Sequence, residues 1–152
     1  MIRRATLDDL PEIERMGKAF FHATEYATLV PMDAGTVAQL GVYTIEHGIT
    51  LVAPHADGLQ GFAALLFAPF TFNKHLTMAA EVAWYIEPDA QRNGIGAALL
   101  DGIEAACADE GVHLLQMQLL ETSPPWMGDV FVRRGYTRSG SVFFKGITPW
   151  QP

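Results

Sequence analysis

Apolar positions along this chain follow two different periods. Near the N-terminus Leu10, Ile13, Met16, Phe20 and Phe21 come close to the i, i+3, i+7 spacing of a half-buried helix. Thr6 or Asp8 offers an N-cap oxygen ahead of it, and Pro11 sits in the first turn, where its missing N–H costs least. Residues 2–5 can form a short strand before this helix. A second helix is predicted from Asp33 through Val37, Leu40 and Thr44, with Gly48 as its stop, although Gly35 and Gly41 count against it.

From Ile49 the period shortens. Residues 49–53 and 59–67 are apolar runs split by Pro54, Asp57 and Gly58, which predicts an antiparallel hairpin. A third strand over 78–86 pairs next, with Asn73 and Lys74 near the tip of the connection. Segments 53–58, 68–75 and 121–128 read as loops, none long enough to separate domains. Residues 93–110 then place Ile95, Leu99, Leu100, Ile103 and Cys107 on one helical stripe that stops at Gly111. A buried strand over 114–120 and a short helix over 126–134 ended by Gly135 come next, and strands over 136–138 and 142–145 close the sheet. The order β-α-α-β-β-β-α-β-α-β-β predicts an α/β or α+β fold, a mixed sheet with helices on its faces, and residues 1–152 read as one domain.

Composition narrows the functional classes. A chain of 152 residues with 49% hydrophobic letters buries roughly 70% of its unfolded surface, enough to stand without disulfides or a structural metal. The single cysteine, Cys107, excludes an intramolecular disulfide framework and fits a reducing compartment, so a cytoplasmic location is expected. Seventeen acidic against ten basic residues give a net charge of −7, a field that repels phosphate backbones and anionic lipid. Nucleic-acid and membrane partners are therefore not expected. The N-terminus lacks the series of a cleaved leader, and no run approaches the roughly 18 apolar residues of a membrane span. His22, His47, His55, His75 and His113 show no metal-ligand spacing, and no metal is expected.

The informative stretch is residues 81–100, EVAWYIEPDAQRNGIGAALL, where a strand passes through a turn at Pro88 and Asp89 into the start of a helix. A helix N-terminus suits an anion, because its first N–H groups are unsatisfied and the macrodipole adds partial positive charge. Gly94 and Gly96 have no Cβ, so a pyrophosphate can approach closely. A dinucleotide fingerprint would want a third glycine where Leu99 stands, and the Gly-Lys-Ser/Thr of a P-loop is absent.

The remaining pattern, Gln91-Arg92-Asn93-Gly94-Ile95-Gly96 behind a strand ending Trp84-Tyr85-Ile86-Glu87-Pro88, resembles the GNAT family of N-acetyltransferases. IRRATLDDLPEIERM resembles the family's first strand and helix, and Arg133-Arg134-Gly135-Tyr136 its last helix-to-strand turn. The resemblance implies acetyl-CoA as co-substrate, lying in a V-shaped opening between the strands over 78–86 and 114–120. Gln91, Arg92, Asn93, Gly94, Ile95, Gly96 and Ala97 would hold the pyrophosphate, mostly through main-chain N–H groups. The main chain from Trp84 to Ile86 would pair with the pantetheine arm, and an N–H near Ile86 would stabilise the oxyanion. The implied reaction is direct attack by an amine in a ternary complex, with no covalent enzyme intermediate.

An attacking amine must be neutral, so a base or water chain has to take its proton. Glu81 is the candidate base, and strand alternation places it on the face shared with Ala83 and Tyr85, able to point towards the acceptor cleft. Many family members protonate the leaving thiolate from a tyrosine four residues before the glycine that ends the last helix. Phe131 stands there and cannot donate, which leaves water, Tyr136 or another nearby hydroxyl. It also motivates an alternative, a weak or inactive CoA-binding or acyl-CoA-binding module that acts as a sensor or docking unit. His22, Glu25 and Tyr26 are candidate contacts for an unidentified small-molecule or peptide amine. Phe70 and Phe72 form an aromatic hairpin tip that is a candidate homodimer contact, and Cys107 reads as inert core.

Overall fold

The computed structural model describes residues 1–151. Its core is a five-stranded sheet in the order β1-β2-β3-β4-β5, with β1 Arg3–Arg4, β2 Ile49–His55, β3 Gly58–Phe70, β4 Asn73–Ile86 and β5 Leu114–Gln116. The first three pairings are antiparallel, and β5 runs parallel to β4, as a strand reached through a crossover helix does. The sheet is therefore mixed. The β3–β4 hairpin is longer than its sequence suggests, because Ala68↔Met78 and Pro69↔Thr77 still pair and only residues near Phe70 and Asn73 turn.

Helices cover both faces. On one, α3 Ile95–Asp109 lays Leu99, Ile103, Ala106 and Cys107 against Ile49, Leu51, Ala63, Leu65 and Ala79. On the other, α1 Leu10–His22 sets Ile13 and Met16 against Val52, Phe62, Ala64 and Ala83. Burying each such large side chain stabilises by roughly 1.5–3 kcal/mol, so the two layers lock the sheet between them. The second helix, α2 Ala34–His47, forms in spite of its glycines, and Asp33 caps it by accepting from the Thr36 N–H at 2.7 Å. Gly41 sits at the contact between the two helices. A Cβ at that position would lie 2.8 Å from Leu10 Cδ1, so its absence lets α1 and α2 approach.

A short helix, α4 Met127–Arg133, follows β5 and is tied to α3 by ions. The Arg134 guanidinium reaches Glu104 at 3.0 Å and also pairs with Asp101. Beyond it the chain departs from the sequence expectation. Neither 136–138 nor 142–145 is strand, and Val142, Phe143, Phe144, Ile147 and Trp150 are exposed. The expected strand over 114–120 is likewise confined to Leu114–Gln116. No helix among the described residues is long and apolar enough to cross a membrane.

Candidate active site at the fork between β4 and β5

Strands β4 and β5 stay together for three registers, Met78↔Leu114, Ala79↔Leu115 and Ala80↔Gln116, and then part. Gln118 marks the point of divergence. Its main-chain N–H donates to Glu81 Oε2 at 2.9 Å, and its side-chain amide donates to the Glu81 carbonyl at 3.1 Å. Past Glu81 the fork is open on the β5 side, while β4 remains paired with β3 as far as Ile86.

The direction of the free main-chain groups follows from strand alternation. The Glu87 N–H donates to the Gln60 carbonyl at 3.0 Å, towards β3. One residue earlier the groups turn the other way, so the main chain of Ile86, and of Trp84 before it, faces the opening. The Ile86 carbonyl accepts from the Gln91 side-chain amide at 3.3 Å, which leaves the Trp84 and Ile86 N–H groups to the gap. The Trp84 indole Nε1 is buried and has no hydrogen-bond partner among the described residues. A buried donor of this kind costs on the order of 1–3 kcal/mol unless something accepts from it.

At the end of the fork a turn carries two left-handed residues, Arg92 at φ 69° and Gly94 at φ 79°. Gly94 is the N-cap of α3, and no side chain caps the helix, so its first N–H groups point out unsatisfied. A Cβ built on Gly94 would meet nothing within 4 Å, so the glycine serves the backbone conformation and leaves the approach clear. A Cβ on Gly96 would stand 3.2 Å from Ile86 Cδ1, so that glycine lets α3 close on β4. Gln91, Arg92, Asn93, Gly94 and Ala97 are exposed, and Ile95 and Gly96 half-buried. Arg92 is the sole lysine or arginine between Lys74 and Arg133, a placement the composition alone did not flag but the charge order shows. Exposed N–H groups, a dipole and one guanidinium are what a pyrophosphate needs.

Glu81 is placed differently from the sequence expectation. A β-bulge at Val82 pairs Glu81 with Leu65, while Ala83 pairs with Ala64. Leu65 belongs to the layer under α3, whereas Ala83 and Tyr85 belong to the layer under α1. The extra residue reverses the alternation, so Glu81 does not share a face with Ala83 and Tyr85. It is 6% exposed, and burial pushes its carboxyl up to about 7 against the lowering effect of the Gln118 N–H. Gln118 was not singled out from sequence, because its partnership depends on the β4–β5 register rather than on local spacing.

The ring at position 131 packs between two others. Phe131 is 6.1 Å from Trp84 and 5.2 Å from Tyr136, centroid to centroid. The Tyr136 hydroxyl donates to Glu104 Oε1 at 3.0 Å, and burial together with that carboxylate raises its pKa. Tyr136 is thus held as a structural donor towards α3. Cys107 is buried, and burial pushes its thiol up to about 11. Among the described residues no group of three or more His, Cys, Asp or Glu converges as for a metal. In the short segment after α1, Tyr26 stacks edge-on against Phe144 at 4.9 Å, and Glu25 Oε2 is buried without a partner among the described residues.

The chain matches the acetyltransferase (GNAT) family over residues 18–136 and belongs to it. No curated protein matches its sequence. Among solved structures it is similar to a transcriptional regulator from Bacillus halodurans C-125, at a TM-score of 0.74 and 16% identity, covering 97% of this chain and 99% of that one. A predicted acetyltransferase with acetyl-CoA from Clostridium acetobutylicum superposes at 0.73 and 16% identity, over 95% and 94% of the two chains. An aminoglycoside acetyltransferase from an uncultured soil metagenomic sample, in complex with sisomicin, does so at 0.69 and 17%, over 99% and 96%. These likenesses show the fold.

Proposed function

We propose that this chain is an acetyl-CoA-dependent N-acetyltransferase, a single domain that moves an acetyl group to a primary amine of a small molecule or peptide. The observation that carries the reading is the open fork. Unpaired main-chain N–H groups of Trp84 and Ile86 face the gap where β5 leaves β4, and the N-terminus of α3 that follows has no side-chain cap.

Acetyl-CoA supplies an activated thioester whose carbonyl carbon accepts a nucleophile. Everything else belongs to the chain. Gln91, Arg92, Asn93, Gly94, Ile95, Gly96 and Ala97 hold the pyrophosphate with N–H groups and the Arg92 charge. The edge of β4 takes the pantetheine arm as an added strand, and Trp84 Nε1 gains an acceptor. The Ile86 N–H stabilises negative charge developing on the carbonyl oxygen. Glu81, at the fork and with a carboxyl near 7, takes the proton of the incoming amine. Phe131 has no proton to give and the Tyr136 hydroxyl is engaged, so water protonates the departing thiolate. An acidic chain favours cationic acceptors over anionic ones, and its buried lone cysteine suits the cytoplasm.

The Phe131 ring favours a second reading, a domain that binds CoA or acyl-CoA without turning it over. A free-thiol assay with acetyl-CoA and a panel of amines separates the two. Amine-dependent thiol release above the uncatalysed rate supports the transferase. Binding with no release for any amine leaves the binding module.

A further inference from the structure

The rung that ends the β4–β5 ladder differs from those before it. In a parallel pair, a carbonyl facing the neighbouring strand accepts from the residue after its own partner. The register Ala79↔Leu115 and Ala80↔Gln116 continues to Glu81 opposite Met117, so a regular next rung would carry the Gln118 N–H to the Glu81 carbonyl. Both groups are hydrogen-bonded, but not to each other. The N–H goes to Glu81 Oε2 at 2.9 Å, and the carbonyl takes the Gln118 side-chain amide at 3.1 Å. Each main-chain group has exchanged its partner for a side chain, and the two side chains fill the place of the direct bond.

Beyond this rung β5 does not return to β4. The Leu120 N–H donates to Ser123 Oγ and the Ser123 N–H to the Leu120 carbonyl, each at 2.9 Å, so the chain closes on itself in a turn. Gln118 is exposed, where water could satisfy its amide, yet its main-chain and side-chain donors both go to Glu81. The layer that Glu81 joins through Leu65 is apolar. Ala79, Leu115 and Met117 belong to it, and its one titratable member is Cys107 of α3, kept as a thiol by burial. Burial and the Gln118 N–H are thus the two influences on the ionisation of Glu81, and they act in opposite senses. With Oε2 held by that N–H, Oε1 is the oxygen left to accept a proton.

We propose that Gln118 is the positioning residue of the amine-activating step: the exchanged rung fixes both the point at which the fork opens and the oxygen with which Glu81 takes the proton. The assignment rests on the transferase reading given above. In that step the proton passes from the amine nitrogen to Glu81 Oε1, the nitrogen keeps its electron pair for the thioester carbon, and Oε2 keeps the Gln118 N–H.

The pH–rate profiles of Gln118→Met and Gln118→Lys test it. Methionine has the length of glutamine and no donor, so the main-chain N–H is free to take the regular rung to the Glu81 carbonyl and the carboxylate loses its bond. The acid limb of kcat should move up by about one pH unit, with kcat at pH 7 falling about fivefold and largely recovered by about pH 9. Lysine keeps a donor for the carbonyl and brings a positive charge to the carboxylate, so the limb should move down. A residue that only supported the fold would lower kcat evenly across pH. A limb that stays in place in Gln118→Met, or moves the same way in both variants, overturns the assignment and leaves the transferase reading intact. An unaltered chain with no turnover on any of a panel of amines overturns both. Should the variants fail to fold, the main-chain amide resonance of Gln118 in the unaltered, nitrogen-15-labelled chain decides. It should titrate with a midpoint of about 7 and cease to do so in Glu81→Gln, and a resonance insensitive to pH in that range overturns the assignment.

Discussion

Glu81 and Gln118 hold each other across the fork: the Gln118 N–H lies 2.9 Å from the Glu81 carboxylate while the Gln118 amide reaches the Glu81 carbonyl at 3.1 Å. The pair closes the end of β4–β5 pairing and keeps a nearly buried carboxyl in place where the strands separate. Its chemistry and its effect on stability both follow from that position.

Burial raises the Glu81 pKa to about 7, so the free base is lost as pH falls through neutrality. The rate of amine acetylation should therefore decline below pH 7. Glu81→Gln should lower kcat by roughly 10²–10⁴-fold and remove that limb of the profile, with acetyl-CoA affinity nearly unchanged. A pH–rate profile of both proteins checks this, and an unaltered rate removes Glu81 from the mechanism.

The same carboxyl has a signed effect on folding. Its folded pKa lies above the ordinary 4.5, so the folded chain binds the proton more tightly than the unfolded one. The stability it contributes is fully present below the unfolded value and is lost as pH rises to about 7. Glu81→Gln should then stabilise the chain above pH 7, by up to about 3 kcal/mol, while impairing turnover. Urea unfolding at pH 5 and pH 8 reads the difference, which should be larger at pH 8.

Gly94 at φ 79° lies where proline, with φ fixed near −65°, cannot go. Gly96 sits where a Cβ already meets Ile86 Cδ1 at 3.2 Å. Gly94→Pro and Gly96→Trp should each abolish the calorimetric signal of acetyl-CoA binding. Affinity like that of the unaltered chain in either variant contradicts the phosphate cradle.

The two rings that flank Phe131 make a paired prediction. Tyr136→Phe removes the hydrogen bond to Glu104 and should cost about 1–3 kcal/mol in unfolding free energy, with turnover per folded molecule unchanged. Phe131→Tyr adds a hydroxyl to the ring packed between Trp84 and Tyr136 and should raise turnover several-fold if thiolate protonation limits the rate. Comparing kcat with CoA release for the two variants tests whether Tyr136 is structural.

Much of this was legible in the sequence because it is local. The stripe of Leu99, Ile103 and Cys107, the hairpin split at Pro54 to Gly58 and the glycines at the start of α3 each declare themselves within a few residues. The face of Glu81 was not, because a bulge at Val82 is set by pairing with β3 and shifts the alternation without a local mark. Gln118 and the Tyr136–Glu104 bond depend on contacts between distant segments. The expected strand over 142–145 has the β-favouring composition of Val142, Phe143 and Phe144, yet a strand needs a neighbour, and within one chain those residues have none.

The most direct test of the central claim is thermal unfolding with acetyl-CoA, CoA and ATP at equal concentration. Ligand at ~100 times its dissociation constant adds about 2.7 kcal/mol, a readable shift. The fork and the α3 cradle predict stabilisation by acetyl-CoA and CoA and little by ATP, which lacks the pantetheine arm that β4 would pair. No shift with either CoA compound, or an equal shift with ATP, contradicts the assignment of the fork as a CoA site.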